Sequence, residues 1–171
     1  FSTSNINKFG GRFKYSKLGQ IIDGADTSIT SNITRVIIRR NMKALLNQSA
    51  QYELCYGNAF KKNIGGFNIK STGFTLANQT GTLYFTDVPN ATGDMGTLSV
   101  VKESTESNEF TVVVKSAGSV DYAKGEIIVN TLNITSTVQP NSVIEIQAFP
   151  DSNDVIGLKD LYLSFSVADS T

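Results

Sequence analysis

Histidine and tryptophan are both absent from the 171 residues, and cysteine occurs once, at Cys55. Without histidine the chain lacks the commonest general base, the commonest zinc ligand and the side chain that titrates near neutrality. A single cysteine excludes an internal disulfide, so no covalent framework holds the fold. No apolar run approaches the roughly 20 residues needed to span a bilayer, and the first residues lack the basic, apolar, small-residue order of a secretion signal. The chain starts at Phe1 rather than Met, which reads as the interior fragment of a longer protein. Enzymatic and membrane-inserted classes therefore start at a disadvantage. At 40% hydrophobic, a chain of this length buries a core without staples.

Strand signals dominate. In Val143–Phe149, Ile144, Ile146 and Ala148 alternate with Glu145 and Gln147, the pattern of a half-buried strand. Upstream, Glu126–Asn130 and Leu132–Thr135 are rich in β-branched residues, and Gln139-Pro140-Asn141-Ser142 supplies turn chemistry, so the two segments are expected to fold back on each other. Strands are also expected over Ile33–Arg40, Tyr52–Tyr56, Phe67–Lys70, Gly73–Leu76, Thr82–Asp87, Thr97–Lys102, Phe110–Lys115 and Leu161–Val167. One short helix is expected over Tyr15–Ile22, with Leu18, Ile21 and Ile22 on one face, Ser16 as N-cap and Asp23-Gly24 as its end. The reading is mainly β, a β-rich α+β chain: an antiparallel sandwich or rolled sheet with one short N-terminal helix. Residues 1–31 form an arm and helix, and residues 32–171 a β-rich domain.

Charge is balanced in total and uneven along the chain. Residues 1–70 carry eleven Lys and Arg against three acids, and residues 71–171 four Lys against twelve acids, so the parts stand at +8 and −8. Such a split serves assembly through complementary faces, or it interleaves on one sheet. Arg35, Arg39 and Arg40 are expected to meet acids of the later half, Asp151 and Asp154 among them, across a subunit boundary or within the sheet. A nucleic-acid partner is not expected. The basic set Arg35, Arg39, Arg40, Lys43, Lys61 and Lys62 lacks interleaved aromatics, and no ribonucleoprotein or helix-turn-helix motif appears.

Candidate chemistry is sparse. Glu103, Glu106 and Glu109 share one polar loop and read as solvated rather than as a catalytic pair. Asp151-Ser152-Asn153-Asp154 resembles the start of a calcium loop, but Ile156 stands where the glycine belongs and Tyr162 where the closing glutamate belongs, so a hydrogen-bonded turn is expected. Cys55 has no histidine to activate it and is expected to be a buried structural thiol. The five Asn-x-Ser/Thr sites, at Asn32, Asn47, Asn78, Asn90 and Asn133, are what a chain rich in these residues produces by chance. No catalytic residue, metal site or cofactor is assigned. The alternative from another class is a carbohydrate- or receptor-binding β domain, whose aromatic platforms would have to come from tyrosines such as Tyr84, Tyr122 and Tyr162, all in or beside strand patterns.

The ordered segments Phe13–Arg40 (FKYSKLGQIIDGADTSITSNITRVIIRR), Tyr52–Phe60, Thr82–Val88, Gly118–Val138 and Ile144–Val155 resemble the carboxy-terminal part of a baseplate wedge subunit of contractile-tailed bacteriophages, in the version carried by large marine myoviruses. The resemblance implies a structural virion protein of the tail baseplate, assembled in the host cytoplasm, without enzymatic role or cofactor. It further implies several copies around a sixfold baseplate, homodimer contacts that include this region, and other wedge proteins as partners. It supplies no active-site residues.

Overall fold

Alternation becomes one-sided burial along the strand Val143–Ala148, where Ile144, Ile146 and Ala148 are buried while Glu145 and Gln147 are half-buried. The structure is a computed structural model that describes residues 11–26, 34–104 and 109–165. In chain order the elements are β1 (Arg12–Phe13), α1 (Tyr15–Asp23), β2 (Val36–Lys43), β3 (Gln48–Cys55), β4 (Lys70–Ser71), β5 (Phe74–Leu76), β6 (Leu83–Pro89), β7 (Met95–Glu103), β8 (Phe110–Asp121), β9 (Glu126–Thr137), β10 (Val143–Ala148), β11 (Val155–Ile156) and β12 (Leu161–Phe165). All the paired strands are antiparallel.

Among the described residues the chain is mostly β with one α-helix, and its ten-stranded sheet rolls into a closed barrel rather than a simple sandwich. The circuit runs β6–β7–β8–β9–β5 and returns to β6. Closure removes free edges from these strands, which is how small β domains avoid edge-to-edge association. Beyond the circuit, β4 leads to β10, then β2, then β12, and β3 lies along the outer edge of β9. Leu98, Val100, Val120, Ile127, Val129 and Ile134 fill the interior with the rings of Phe74 and Phe85, 4.5 Å apart between centroids. Each such side chain contributes about 1.5–3 kcal/mol by burial.

β9 and β10 do not fold back on each other as expected. β9 pairs with β3, β5 and β8, and β10 with β2 and β4. The two lie end to end along the same side of residues 70–76: Thr137 is opposite Phe74, and Ile146 is opposite Ser71. The turn at Pro140–Ser142 is present, but Asn141 and Ser142 both take left-handed backbone angles, φ 60° and 59°. The chain turns a corner there instead of reversing.

The helix also departs from expectation at its start. Lys14, not Ser16, is the N-cap and offers no side-chain bond. The first-turn N–H of Tyr15 instead donates to Asp154 Oδ1 at 2.9 Å, a cap brought from the far end of the chain. Gly24 closes the helix through its N–H to the Gln20 carbonyl, as expected. In β12, Leu161 and Leu163 pack against the core, whereas Phe165 is 40% exposed and touches Phe13; Val167 lies outside the described residues.

Candidate functional site

β2 lies between β10 and β12, which places Arg39 and Arg40 on the central strand of three, with Arg35 immediately before it. Arg39 projects outward, pairs with Glu145 at 3.1 Å and lies over the Tyr162 ring at 5.0 Å. Arg40 donates through Nη2 to the Lys159 carbonyl at 2.9 Å and through Nη1 to the Cys55 carbonyl. Both arginines thus bridge strands of their own chain. The ion pair of opposite halves is there, but with Glu145 rather than Asp151 or Asp154. Asp154 is engaged at α1, and the turn that carries it is hydrogen-bonded, Asp154 N–H to Ser152 Oγ at 3.2 Å, as the turn reading expects.

Arg35 and Asp151 come together in a cleft of about 540 Å³ at the junction of α1, the start of β2 and the loops after Tyr56 and Phe149. The Arg35 guanidinium lies over the Phe149 ring at 5.4 Å. Beneath it, Asn68 is 4% exposed and fixes three segments: Nδ2 donates to the Lys61 carbonyl at 2.6 Å, and Oδ1 accepts the Phe149 N–H at 3.2 Å. The loop bearing Asp151 is anchored from its other side by Asn58, which accepts from Ile156 N–H at 2.8 Å and donates to the Ile156 carbonyl at 2.9 Å. Phe67 closes one wall in a left-handed conformation, φ 60°, that a bulky side chain rarely adopts. The N–H of Phe67 donates to the Asp87 carbonyl at 3.2 Å, which holds that backbone in place. Asn68 and Asn58 carry no sequence signal beyond their polarity; only their burial and partners mark them.

Cys55 is exposed, not buried as expected. It sits opposite Glu126 in the β3–β9 ladder, and its thiol donates to Glu53 at 3.5 Å and to Glu126 at 3.4 Å. Partial desolvation, then the bonds to the two carboxylates and their charge, push the thiol up to about 11, away from nucleophilic chemistry. Deeper in, Asp87 is 1% exposed and accepts from the Ile69 N–H at 2.7 Å and the Tyr122 hydroxyl at 2.6 Å. Burial, the bond to Asp87 and its negative charge hold the Tyr122 phenol well above its usual range. Glu103 ends β7 and Glu109 immediately precedes β8, and Glu106 is outside the described residues. No helix among the described residues is long and apolar enough to cross a membrane.

Residues 1–41 match the family model described as baseplate structural protein gp6, C-terminal domain III. The matched stretch takes in β1, α1 and β2 as far as Asn41, so it contains the Phe13–Arg40 segment and all three arginines, and the closed circuit β5–β9 lies beyond it. No curated protein and no solved structure matches the chain.

Proposed function

We propose that the chain is a structural component of a phage tail baseplate, a wedge subunit that joins a second copy and neighbouring wedge proteins. The observation that carries this reading is the match over residues 1–41 to a baseplate structural domain. The chemistry of the site is in keeping with it: a thiol raised to about 11, and arginines committed to carbonyls and a carboxylate, are groups that hold strands rather than transform a substrate. In this reading Arg35, Arg39, Arg40, Asp151 and Asp154 belong to the contact face, with Arg35 and Asp151 reaching the neighbour and the other three keeping the face rigid. Charged faces of this kind set register and partner choice between symmetric copies.

Light scattering on the purified chain tests the association. The expected mass is twice 18.5 kDa at low salt, falling toward 18.5 kDa as salt screens the contact. Arg35→Glu is expected to disrupt the pair and Asp151→Lys to restore it in the double variant. A single-chain mass at every concentration contradicts self-association, and absence of the protein from purified tails by mass spectrometry contradicts the baseplate reading itself.

A further inference from the structure

Outside the closed circuit several strands are paired on one side only, and two of these open edges are defended. β8 meets β9 only from Gly118 to Asp121, and its open stretch carries Lys115 and two shifts of register against β7. β3 pairs only with β9, has its own register shift between Ala50 and Tyr52, and has the Arg40 guanidinium bonded to its Cys55 carbonyl. Charges, bulges and covering side chains keep an open edge from recruiting a further strand. β12 has none of these. It pairs with β2 over five consecutive residues without a shift, and Leu161-Tyr162-Leu163-Ser164-Phe165 contains neither a charge nor a proline. Among the described residues nothing pairs with its other edge.

Its side chains are also left uncovered. Tyr162 and Phe165 are 46% and 40% exposed, and Leu161 and Leu163, which pack against the core, are only half-buried. With Ile156 and Leu158 they gather exposed apolar surface into the stretch Ile156–Phe165, which ends at this edge. We infer that β12 is joined edge to edge by β12 of a second copy, antiparallel about a twofold axis at Leu163, so that one sheet runs through both molecules. Two identical strands pair in this way only if their sequence complements itself. About Leu163 it does. Leu161 faces Phe165 of the other copy, Tyr162 faces Ser164 and Leu163 faces its own counterpart, so the apolar row continues across the axis and no like charges meet. The free N–H and C=O groups of the edge gain partners, and the half-buried leucines gain apolar neighbours. Arg35 directly precedes Val36, which pairs with Phe165, so the edge adjoins the charged face. This pairing rests on the reading that two copies join, and supplies the strand through which they do.

Cysteine cross-linking in the full chain at low ionic strength tests the register, in a Cys55→Ser background with copper–phenanthroline as oxidant and the mass read by light scattering beforehand. Leu163→Cys is expected to give a covalent pair, because facing residues of an antiparallel ladder lie about 4.5–5.5 Å apart between Cα atoms, within disulfide reach. Leu161→Cys is expected to stay unlinked, because four residues of strand hold the two thiols on the order of 14 Å apart. Ser164→Lys, at an exposed position, brings two like charges together beside the axis and is expected to return the mass from twice 18.5 kDa to 18.5 kDa with the fold unchanged. A doubled mass that survives Ser164→Lys, or that comes without the Leu163→Cys link or with Leu161→Cys linking as readily, overturns the strand pairing and leaves the joining of two copies standing. A single-chain mass for the unaltered protein overturns both.

Discussion

At the scale of single residues, buried polarity decides more than any surface charge. Asp87 is buried inside the barrel, where its side chain accepts from the Ile69 N–H and the Tyr122 hydroxyl. Tyr122→Phe removes one donor and leaves the carboxylate under-satisfied, at an expected cost of about 1–3 kcal/mol in denaturant unfolding, with an unchanged slope. The same pair sets an alkaline limit. The Tyr122 phenol is raised in the folded state, so its contribution is present below the unfolded value of about 10 and is lost as pH climbs above it. Stability of the Phe variant is therefore expected to fall less steeply above that pH.

Cys55 makes the complementary case. Exposed thiols ordinarily alkylate readily, but this one is raised to about 11, so slow iodoacetamide labelling near neutral pH is expected, faster in Glu126→Gln. The alternation Tyr52, Leu54, Tyr56 against Glu53 and Cys55 already places the thiol on the outer face with a glutamate. The general preference of cysteine for burial pointed the other way, and the strand period won. Asn68, Asn58 and Asp87 were not legible at all, because their partners lie up to 98 residues away along the chain.

At the scale of elements, the strand periods were legible and the pairings were not. Ile144, Ile146 and Ala148 face inward as their spacing requires, yet β10 joins β2 and β4 because the corner at Asn141 and Ser142 redirects it. Turn residues announce a change of direction without specifying its angle, and adjacent segments pair only when the angle closes a hairpin. Gly125 shows the hairpin case: it ends the turn between β8 and β9 at φ 67°, and a Cβ there would lie 1.9 Å from the Asn58 carbonyl oxygen. Gly125→Ala is expected to cost more than about 3 kcal/mol, combining left-handed strain with a backbone clash, measured by chemical denaturation. The helix N-terminus was misread for a similar reason. Local sequence offered Ser16 as a cap, while the fold delivers Asp154. Asp154→Ala is expected to lose about 0.5–2 kcal/mol and to speed amide exchange in the first turn of α1 before it affects the barrel.

At the scale of the whole molecule, the chain joins a short segment of baseplate likeness to a closed barrel that matches no solved structure. The segment is not a loose appendage among the described residues. β1 pairs with β11, α1 takes its cap from the loop before β11, and β2 is the central strand between β10 and β12. A contact made through residues 1–41 therefore bears on the barrel directly. The charge split of +8 and −8 is partly consumed inside the fold, where Arg39 and Glu145 meet across adjacent strands. The mainly β class and the single helix were legible from spacing; barrel closure was not, because it depends on which strand edges meet after every turn has been made. The measurement that tests the proposed baseplate role most directly is an averaged cryo-electron microscopy map of contractile tails purified from the source of this chain. The account predicts density for the barrel with its docked helix in the baseplate, repeated around the tail axis. A baseplate map fully explained by other proteins, with this chain found elsewhere or nowhere in the virion, would contradict it.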